Sequence, residues 1–305
     1  MRESKKADGM SKWVEVLGFI GLGVMGAPMC SNLVRKSGLP VLATDSREAP
    51  REQIARAGAR PVGSIAEVAR EADIIFLSLP SIAEVTEVCL GEGGIASVDG
   101  RVHTIVDMST SSVKGTRELA AKLREKGLTL IDAPVARMRQ AAIDGTLSIM
   151  VGGTDDDFRM VEPLLSCMGT EVTHCGGIGN GQVVKILNNM VVFMTVNALA
   201  EALAIGRTAG VDGALLFDVM SKGSADSFAL RTPGQKALVP NQFPENTFPT
   251  VYAIKDIKLA LELAQQGDIE AASAMLTSHL LERTAAAGYA QNYYPAMINL
   301  IAGSK

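Results

Sequence analysis

The chain contains few of the residues from which metal sites and disulfide frameworks are built. Its 305 residues include four cysteines and three histidines. The cysteines show no C-x-x-C spacing, so a zinc cluster is hard to assemble and we expect no bound metal. We interpret the cysteines as reduced thiols, which are typical of a cytoplasmic protein.

The chain also lacks a large excess of either charge and a long uncharged apolar run. Its 29 basic and 33 acidic side chains give a net charge of -4. This balance argues against nucleic-acid and membrane surfaces but allows a small charged metabolite as partner. Residues 186–205 come nearest to a membrane span, yet they include three asparagines and Glu201, which predicts a buried helix. The polar leader, residues 1–13, lacks an apolar signal region and predicts a disordered tail.

Residues 14–45 read in order as strand, glycine turn, helix and second strand. In the turn, Gly21 would allow the tight bend, Gly23 would let the backbone approach a pyrophosphate, and Gly26 would let the helix pack on the strand. The first amides of the helix would then face the phosphates. This order predicts a dinucleotide site, the alternative being a glycine-rich turn that binds nothing.

Cofactor choice depends on Asp45, which ends the second strand 19 residues after Gly26. A carboxylate there accepts hydrogen bonds from the ribose hydroxyls of NAD and repels the 2'-phosphate of NADP. The sequence therefore favours NAD. Arg47 keeps NADP possible, because its side chain could turn toward a phosphate instead of facing water.

Segments of strand and helix continue to alternate as far as residue 151. The apolar run 73–79, bounded by turn residues, is typical of a parallel strand buried on both faces. After Gly181 only helical patterns remain. We therefore expect an α/β fold, an N-terminal Rossmann doubly wound sheet followed by an all-α C-terminal domain joined by a long helix. The predicted divisions are a leader (1–13), a dinucleotide-binding domain (14–178) and a substrate and oligomerisation domain (179–305).

Ligands of open parallel sheets bind outside the carboxyl ends of the strands. Leu79 and Pro80 follow one predicted strand, and Ser109 and Thr110 follow the next. These residues are candidates for contact with a cofactor or substrate. The alternative is that the proline stops a strand and the two hydroxyls cap a helix predicted to begin at Ser111.

Lys185 and Asn189 stand four residues apart on a glycine-led apolar helix, and so share one helix face. Such polar groups are costly in an apolar setting unless they meet a ligand or each other. A buried lysine can exchange a proton with a hydroxyl or carbonyl oxygen. A surface lysine whose stem lies along apolar residues is the alternative.

Four ordered motifs now give the chain a resemblance to the β-hydroxyacid dehydrogenase family, of the 3-hydroxyisobutyrate dehydrogenase type. They are GFIGLGVMGAPM at 18–29, DAPV at 132–135, GTLSIMVGG at 145–153 and GNGQVVKILNN at 179–189. The resemblance implies that Lys185 is the acid/base group and that Asn189 orients the substrate. It also implies that Lys255 reaches the closed cleft, and that the protein is a homodimer or homotetramer.

One departure from the family pattern is large. The family usually has D-A-P-V-S-G-G, in which a serine and glycine amides hold the substrate carboxylate, whereas this chain has Ala136, Arg137 and Met138 at the last three positions. Relatives that resemble sulfolactaldehyde reductases carry a similar arginine. A guanidinium offers paired donors for sulfonate, phosphate or carboxylate, so we predict that Arg137 meets a second anion. A solvated loop arginine is the alternative.

Together these residues predict an oxidoreductase that transfers a hydride between NAD and a small 3-hydroxy acid or its semialdehyde. The alternatives are a decarboxylating 6-phosphogluconate-type dehydrogenase, an imine reductase and a non-catalytic dinucleotide-binding module. The predicted catalytic residues are Lys185 and Asn189, and the predicted substrate-binding residues are Ser109, Ala136, Arg137, Met138, Asn189 and Lys255. The predicted cofactor-binding residues are Gly21, Leu22, Gly23, Val24, Met25, Gly26, Asp45, Leu79, Pro80, Thr110 and Lys255.

Overall fold

The computed structural model describes residues 14–245 and 247–301, and the leader predicted at 1–13 lies outside them. Contacts divide the chain into two compact units, one ending at Lys185 and one beginning at Ile186. This dividing point lies inside a long helix. The domain division at 178/179 stays a prediction.

The first unit is built on a parallel sheet of six strands in the order β3-β2-β1-β4-β5-β6. This is the strand order of a doubly wound dinucleotide-binding fold, and it confirms the predicted fold class. The four-residue strands β1, β2, β4 and β5 are buried at every position, which parallel strands covered on both faces require. The strands are β1 (Leu17–Ile20), β2 (Val41–Thr44), β3 (Arg60–Pro61), β4 (Ile74–Leu77), β5 (Thr104–Asp107) and β6 (Thr129–Asp132).

Helices lie on both faces of this sheet and enclose two apolar cores. Several begin at hydroxyl caps: the side chains of Ser64, Ser81, Ser112 and Thr154 accept hydrogen bonds from first-turn amides. The helices are α1 (Gly26–Ser37), α2 (Glu48–Arg56), α3 (Ile65–Glu71), α4 (Ile82–Leu90), α5 (Val113–Arg124), α6 (Arg139–Asp144) and α7 (Asp155–Leu165), with a 3₁₀ turn at Ile95–Ser97.

A second, three-stranded sheet follows β6 in the first unit, formed by β7 (Val135–Ala136), β8 (Leu147–Val151) and β9 (Gly169–His174). Strand β8 pairs antiparallel with β7 and parallel with β9. Only β8 was predicted from the sequence. Strand β7 has two residues, and half of the residues of β9 are exposed, so neither carries an apolar run.

Helix α7 was also missed, although its start carries a recognisable signal. Three aspartates in its first turn and Pro163 in its interior weaken the apolar period. Thr154 and Asp157, however, form a reciprocal capping box at its N-terminus.

The second unit is helical in the residues that the structure describes, apart from two isolated bridges. Its apolar core includes Phe193, Phe217 and Ile257. Helix α8 (Asn180–Thr208) begins in the first unit and ends in the second, as the prediction of a long joining helix expected. The other elements are α9 (Gly213–Met220), a π-helix (Leu230–Leu238), α10 (Thr250–Gln266), α11 (Ala272–Thr284), a π-helix (Ala285–Tyr289), a 3₁₀ turn (Tyr294–Met297) and α12 (Ile298–Ile301).

Helix α8 is long and apolar enough to cross a membrane by length and composition alone. Core helices of soluble proteins meet the same criterion, so this is weak evidence for a span. Of its most apolar window, 44% is buried, while Val191 and Ile205 are more than half exposed. The helix predicted as buried is thus buried in part: Val196 and Leu203 lie in the core, whereas other positions are exposed.

Candidate active site

The glycine turn, residues 21–26, connects β1 to α1. Gly21 has a φ of +95°, and a Cβ there would lie 2.3 Å from the carbonyl oxygen of Ser78. A Cβ on Gly26 would lie 2.0 Å from the carbonyl oxygen of Gly21. At Gly23, in contrast, an added Cβ would have no described atom within 4 Å apart from those of its two chain neighbours. The fold requires the first and third glycines, and the middle one borders open space, as an approaching ligand requires.

The start of α1 suits an anion. The helix has 12 residues, its first turn contains no acidic side chain, and among the described residues no side chain caps it at Met25. The preceding residue Val24 is 54% exposed. The Ala27 amide donates to the Gly23 carbonyl at 3.1 Å and Pro28 has no amide N–H. The positive end of the helix dipole, uncapped by any described side chain, would therefore be the main attraction for a pyrophosphate beside the glycine turn.

Asp45 is bound to the glycine turn. The Leu22 amide donates to its Oδ2 at 2.8 Å, and the Arg47 guanidinium forms a paired ion contact with the carboxylate at 2.9 and 3.1 Å. Burial raises the pKa of Asp45, but these hydrogen bonds and that of the Arg47 amide outweigh it and lower the pKa. Arg51 donates to the Asp45 carbonyl at 2.8 Å. Arg47, expected to face water or a phosphate, thus binds Asp45, and the sequence reading missed Arg51.

The residues after β4 and β5 are joined as the sheet topology predicts. The Leu79 amide donates to Oγ of Ser109 at 2.9 Å, and the Ser109 amide donates to Oδ1 of Asp107 at 2.9 Å. Ser112 caps α5, which begins at Val113. The alternative that Ser109 and Thr110 cap this helix is therefore wrong. Pro80, after β4, is exposed.

A buried hydrogen-bond network holds the start of α8. The Asp132 carboxylate accepts the amides of Gly179 at 2.6 Å and Gln182 at 2.8 Å. The Gln182 side chain accepts the Ser111 amide at 2.9 Å and donates to the Ser109 carbonyl at 2.8 Å. The sequence placed Asp132 at the end of a predicted strand and Gln182 on the long helix, but it predicted no contact between them.

Lys185 follows this network on α8 and is 7% exposed. Buried lysines in such positions are frequent at functional sites. Its prediction as the proton-transferring residue is thus compatible with its position in the first unit.

In the second unit, Asn189 and Lys255 both contact one carboxylate. The Asn189 amide nitrogen donates to Oδ2 of Asp256 at 2.7 Å, and the Lys255 ammonium lies 3.4 Å from its Oδ1. Asn189 and Asp256 are buried. Asp256 was also missed from the sequence, although it directly follows Lys255.

The substituted motif forms the arginine loop, residues 132–138. Arg137 has a φ of +82°, in the region that favours glycine, where the family pattern has glycine. Its Nη1 donates to the Thr146 carbonyl at 2.5 Å and to Oγ1 of Thr170 at 3.3 Å. Ala136 is buried in β7, and Met138 is exposed immediately before α6.

Comparisons with known proteins agree with this geometry. The sequence model for the NAD binding domain of 6-phosphogluconate dehydrogenase matches residues 16–177, and that for the NAD-binding of NADP-dependent 3-hydroxyisobutyrate dehydrogenase matches residues 179–301. The 2-(hydroxymethyl)glutarate dehydrogenase of Eubacterium barkeri is 35% identical over 95% of this chain and 96% of its own. The 2-hydroxy-3-oxopropionate reductase of Escherichia coli is 34% identical over 93% and 96%, respectively.

Among solved structures, Mycobacterium tuberculosis 3-hydroxyisobutyrate dehydrogenase with L-serine superposes with a TM-score of 0.85 at 29% identity. The match covers 95% of this chain and all of that one. An imine reductase from Myxococcus stipitatus, in complex with NAD⁺, has a TM-score of 0.64 at 16% identity, and this likeness concerns the fold alone.

The chain therefore belongs to the β-hydroxyacid dehydrogenase family. It is an NAD(P)-dependent oxidoreductase that acts on the CH–OH group of a small hydroxy acid. The family, the fold class, the reaction class and the cofactor class predicted from the sequence are confirmed.

Proposed function

We propose that the protein interconverts a 2-substituted 3-hydroxypropanoate and its semialdehyde, with Lys185 as the acid/base group. The observation that carries this proposal is the burial of Lys185, 7% exposed, directly after the network that ties α8 to the sheet. The compounds in the relatives' names support the substrate class. 3-Hydroxyisobutyrate and 2-(hydroxymethyl)glutarate both contain the unit HOCH₂–CH(X)–COO⁻, and 2-hydroxy-3-oxopropionate is its aldehyde form.

The proposed chemistry divides between cofactor and chain. Bound nicotinamide supplies the hydride acceptor or donor. The neutral amine of Lys185 takes the hydroxyl proton when the alcohol is oxidised and returns it to the carbonyl oxygen in the reverse reaction. Asn189 orients the substrate through its side-chain amide, and Asp256 fixes the plane of that amide by accepting from Nδ2.

The NAD(P) site that we propose includes the glycine turn, Asp45 and the ends of β4 and β5. The open space at Gly23 and the uncapped start of α1 fit the pyrophosphate. Asp45 favours NAD, because a carboxylate repels a 2'-phosphate. We further propose a role for Lys255 in binding cofactor or substrate.

The substituent X is proposed to be anionic and to be bound by Arg137. Both contacts that the described residues make to its guanidinium use Nη1. The remaining donors have the planar arrangement that a carboxylate or sulfonate accepts. In the 2-(hydroxymethyl)glutarate named for the Eubacterium barkeri relative, X carries a second carboxylate.

Replacing Lys185 tests the reaction. The Lys185→Met variant should lose about 10²–10⁴-fold in kcat, the usual contribution of general acid/base catalysis, with an NAD dissociation constant close to that of the wild type. Initial rates of NADH formation with 3-hydroxyisobutyrate, glycerate and 2-(hydroxymethyl)glutarate measure this. Lys122→Met, at an exposed position of α5, is the matched control. Wild-type turnover by Lys185→Met would refute the proposed mechanism.

Replacing Arg137 tests the substituent. Arg137→Ala should reduce kcat/KM for 2-(hydroxymethyl)glutarate by about 10–100-fold, because a hydrogen bond to a charged group contributes roughly 1.5–3 kcal/mol. The value for 3-hydroxyisobutyrate, whose X is a methyl group, should change by less than about threefold on the same reasoning. Arg139→Ala, two residues further along, is the control. Equal losses for both substrates would remove Arg137 from the recognition of X.

Assembly and location are proposals too. We expect a homodimer or homotetramer, as the family resemblance implies, that acts in the cytoplasm. The balanced charge of 29 basic and 33 acidic side chains supports the expectation that it binds neither nucleic acid nor membranes. The decarboxylating alternative predicts carbon dioxide as a product, and its release with any of the three substrates would favour that alternative.

A further inference from the structure

We propose that Asp132 and Gln182 are positioning residues that fix the first turn of α8, and with it Lys185, to the carboxyl edge of the parallel sheet. This rests on the proposed function, because it takes Lys185 as the acid/base group. All the residues in the argument belong to the first unit.

The start of α8 is capped by the carboxylate of Asp132, which comes from a distant part of the chain. Helix starts leave their first amides without partners inside the helix, and a cap normally comes from the residue just before it. Here the carboxylate at the end of β6 accepts the amides of Gly179 at 2.6 Å and Gln182 at 2.8 Å, 47 and 50 residues further along. Asp132 is fully buried, so these contacts attach α8 directly to the sheet.

Gln182 makes the second attachment. Its side-chain oxygen accepts the Ser111 amide at 2.9 Å, and its side-chain nitrogen donates to the Ser109 carbonyl at 2.8 Å. Ser109 in turn accepts the Leu79 amide. One fully buried amide therefore joins α8 to the segment after β5 and, through it, to the end of β4.

Close packing makes this attachment rigid. A Cβ on Gly181 would lie 2.3 Å from the Met150 carbonyl oxygen and 2.7 Å from Oδ2 of Asp132. The backbone of α8 thus lies against β8 and Asp132 with no room for a side chain. Lys185 follows Gln182 by three residues, about 4.5 Å along the axis, so a displacement of the first turn is carried to its amine.

Catalysis should therefore depend on Asp132 and Gln182, although neither side chain exchanges a proton with the substrate. Misplacing a reacting group by 1 Å can cost about 10²-fold in rate. An apolar residue at position 182 would leave the Ser109 carbonyl and the Ser111 amide without their buried partner. The first turn of α8 would lose this attachment and could then shift.

The test uses Gln182→Met, which keeps the length of the side chain and removes both hydrogen bonds. We expect kcat to fall about 10–100-fold and the acidic limb of the kcat–pH profile to move, because the surroundings of the Lys185 amine change. A purely structural role would lower the unfolding temperature without moving that limb. Gln53→Met, at an exposed position of α2, is the matched control and should leave both readouts unchanged.

Asp132→Asn provides an independent variant if Gln182→Met does not fold. The amide keeps one acceptor for the two backbone amides and presents an NH₂ group to the other, so the same loss of kcat and the same shift are expected. Wild-type kcat and pH profile in both variants, with Lys185→Met inactive, would overturn the positioning role and leave the proposed function intact. Full activity of Lys185→Met would instead refute the proposed function, and the positioning role with it.

Discussion

The glycine turn and the arginine loop both require a left-handed backbone conformation, but they place different residues there. Each contains a residue with a left-handed φ, +95° at Gly21 and +82° at Arg137. A side chain at Gly21 would meet the Ser78 carbonyl at 2.3 Å, whereas Arg137 extends to the surface and binds Thr146 and Thr170. Packing therefore dictates glycine at the first position. At the second, the backbone keeps a strained arginine, which is the expected sign of a side chain retained for function.

The strongest test of this comparison is Gly26→Ala against Gly23→Ala. The added methyl at Gly26 would lie 2.0 Å from a backbone oxygen, so we expect the variant to unfold or to lose NAD binding by more than about 100-fold. Gly23→Ala meets none of the described residues, so its unfolding temperature should match the wild type while NAD binding weakens, because the methyl occupies space proposed for the pyrophosphate. Thermal unfolding and NAD titration measure both effects.

The opposite result at either glycine would be informative. A stable Gly26→Ala variant that binds NAD would show that the turn can relax. Unchanged NAD affinity in Gly23→Ala would move the pyrophosphate away from the open side of the turn.

Asp132, the first residue of the arginine loop, should give the protein a distinctive pH dependence. Burial raises its pKa to about 6, with a further upward contribution from the charge of Asp107, although the amides of Gly179 and Gln182 oppose the shift. The folded state thus binds a proton more readily than the unfolded chain. The resulting stability is fully present below the unfolded pKa, near 4, and is lost as the pH rises through about 6.

Replacing Asp132 should remove this slope. Urea unfolding of the wild type and Asp132→Asn, without cofactor, compares their free energies of unfolding. We expect the advantage of the wild type to be larger at pH 4.5 than at pH 7 by on the order of 2 kcal/mol. Contributions of Asp45 and other carboxyl groups cancel in the difference. A difference that is constant with pH would show that Asp132 is ionised throughout this range.

A smaller effect, on the preference for NAD over NADP, is expected at Asp45, where we propose that the ribose binds. Arg47 and the Leu22 amide occupy the Asp45 carboxylate, so ribose hydroxyls must displace the guanidinium, which would then be available to a 2'-phosphate. Arg47→Ala should raise the ratio of kcat/KM with NAD to that with NADP by about tenfold, in line with one partly exposed charged hydrogen bond. Arg56→Ala, exposed on α2, is the control. An unchanged ratio would mean that Arg47 takes no part in cofactor selection.

The smallest predicted effect concerns backbone strain in the arginine loop. Arg137→Gly should raise the free energy of unfolding by about 1 kcal/mol relative to Arg137→Ala, because glycine adopts a φ of +82° without steric cost. Both variants lack the guanidinium contacts to Thr146 and Thr170, so the pair isolates the backbone contribution. Equal unfolding midpoints in urea would show that the loop adjusts its backbone to relieve the strain.

Features with a short-range cause were predictable from the sequence. The glycine turn, the capped helix α4 (Ile82–Leu90) and the fully buried strand β5 (Thr104–Asp107) depend on residues that are close together in the chain. Lys185 and Asn189 were proposed as a pair because a helix brings positions four apart to one face, and both lie on α8. These patterns sufficed for the fold class, and the resemblance of four ordered motifs to the β-hydroxyacid dehydrogenase family implied the reaction class.

Features that depend on distant partners were not predictable. Strand β7 has two residues and exists because β8 pairs with it. Asp256 has a role because it accepts a hydrogen bond from Asn189, 67 residues away in sequence.

Local periodicity, glycine spacing and charge type determined by themselves the doubly wound sheet and the helical second half, and they indicated candidate residues for cofactor binding and proton transfer. Tertiary structure alone decided how those residues are held: that Asp132 caps a helix beginning 48 residues later, and that Gln182 joins that helix to the segment after β5. The physical reason is that buried polar groups must find partners wherever the fold places them, and sequence separation does not specify that place.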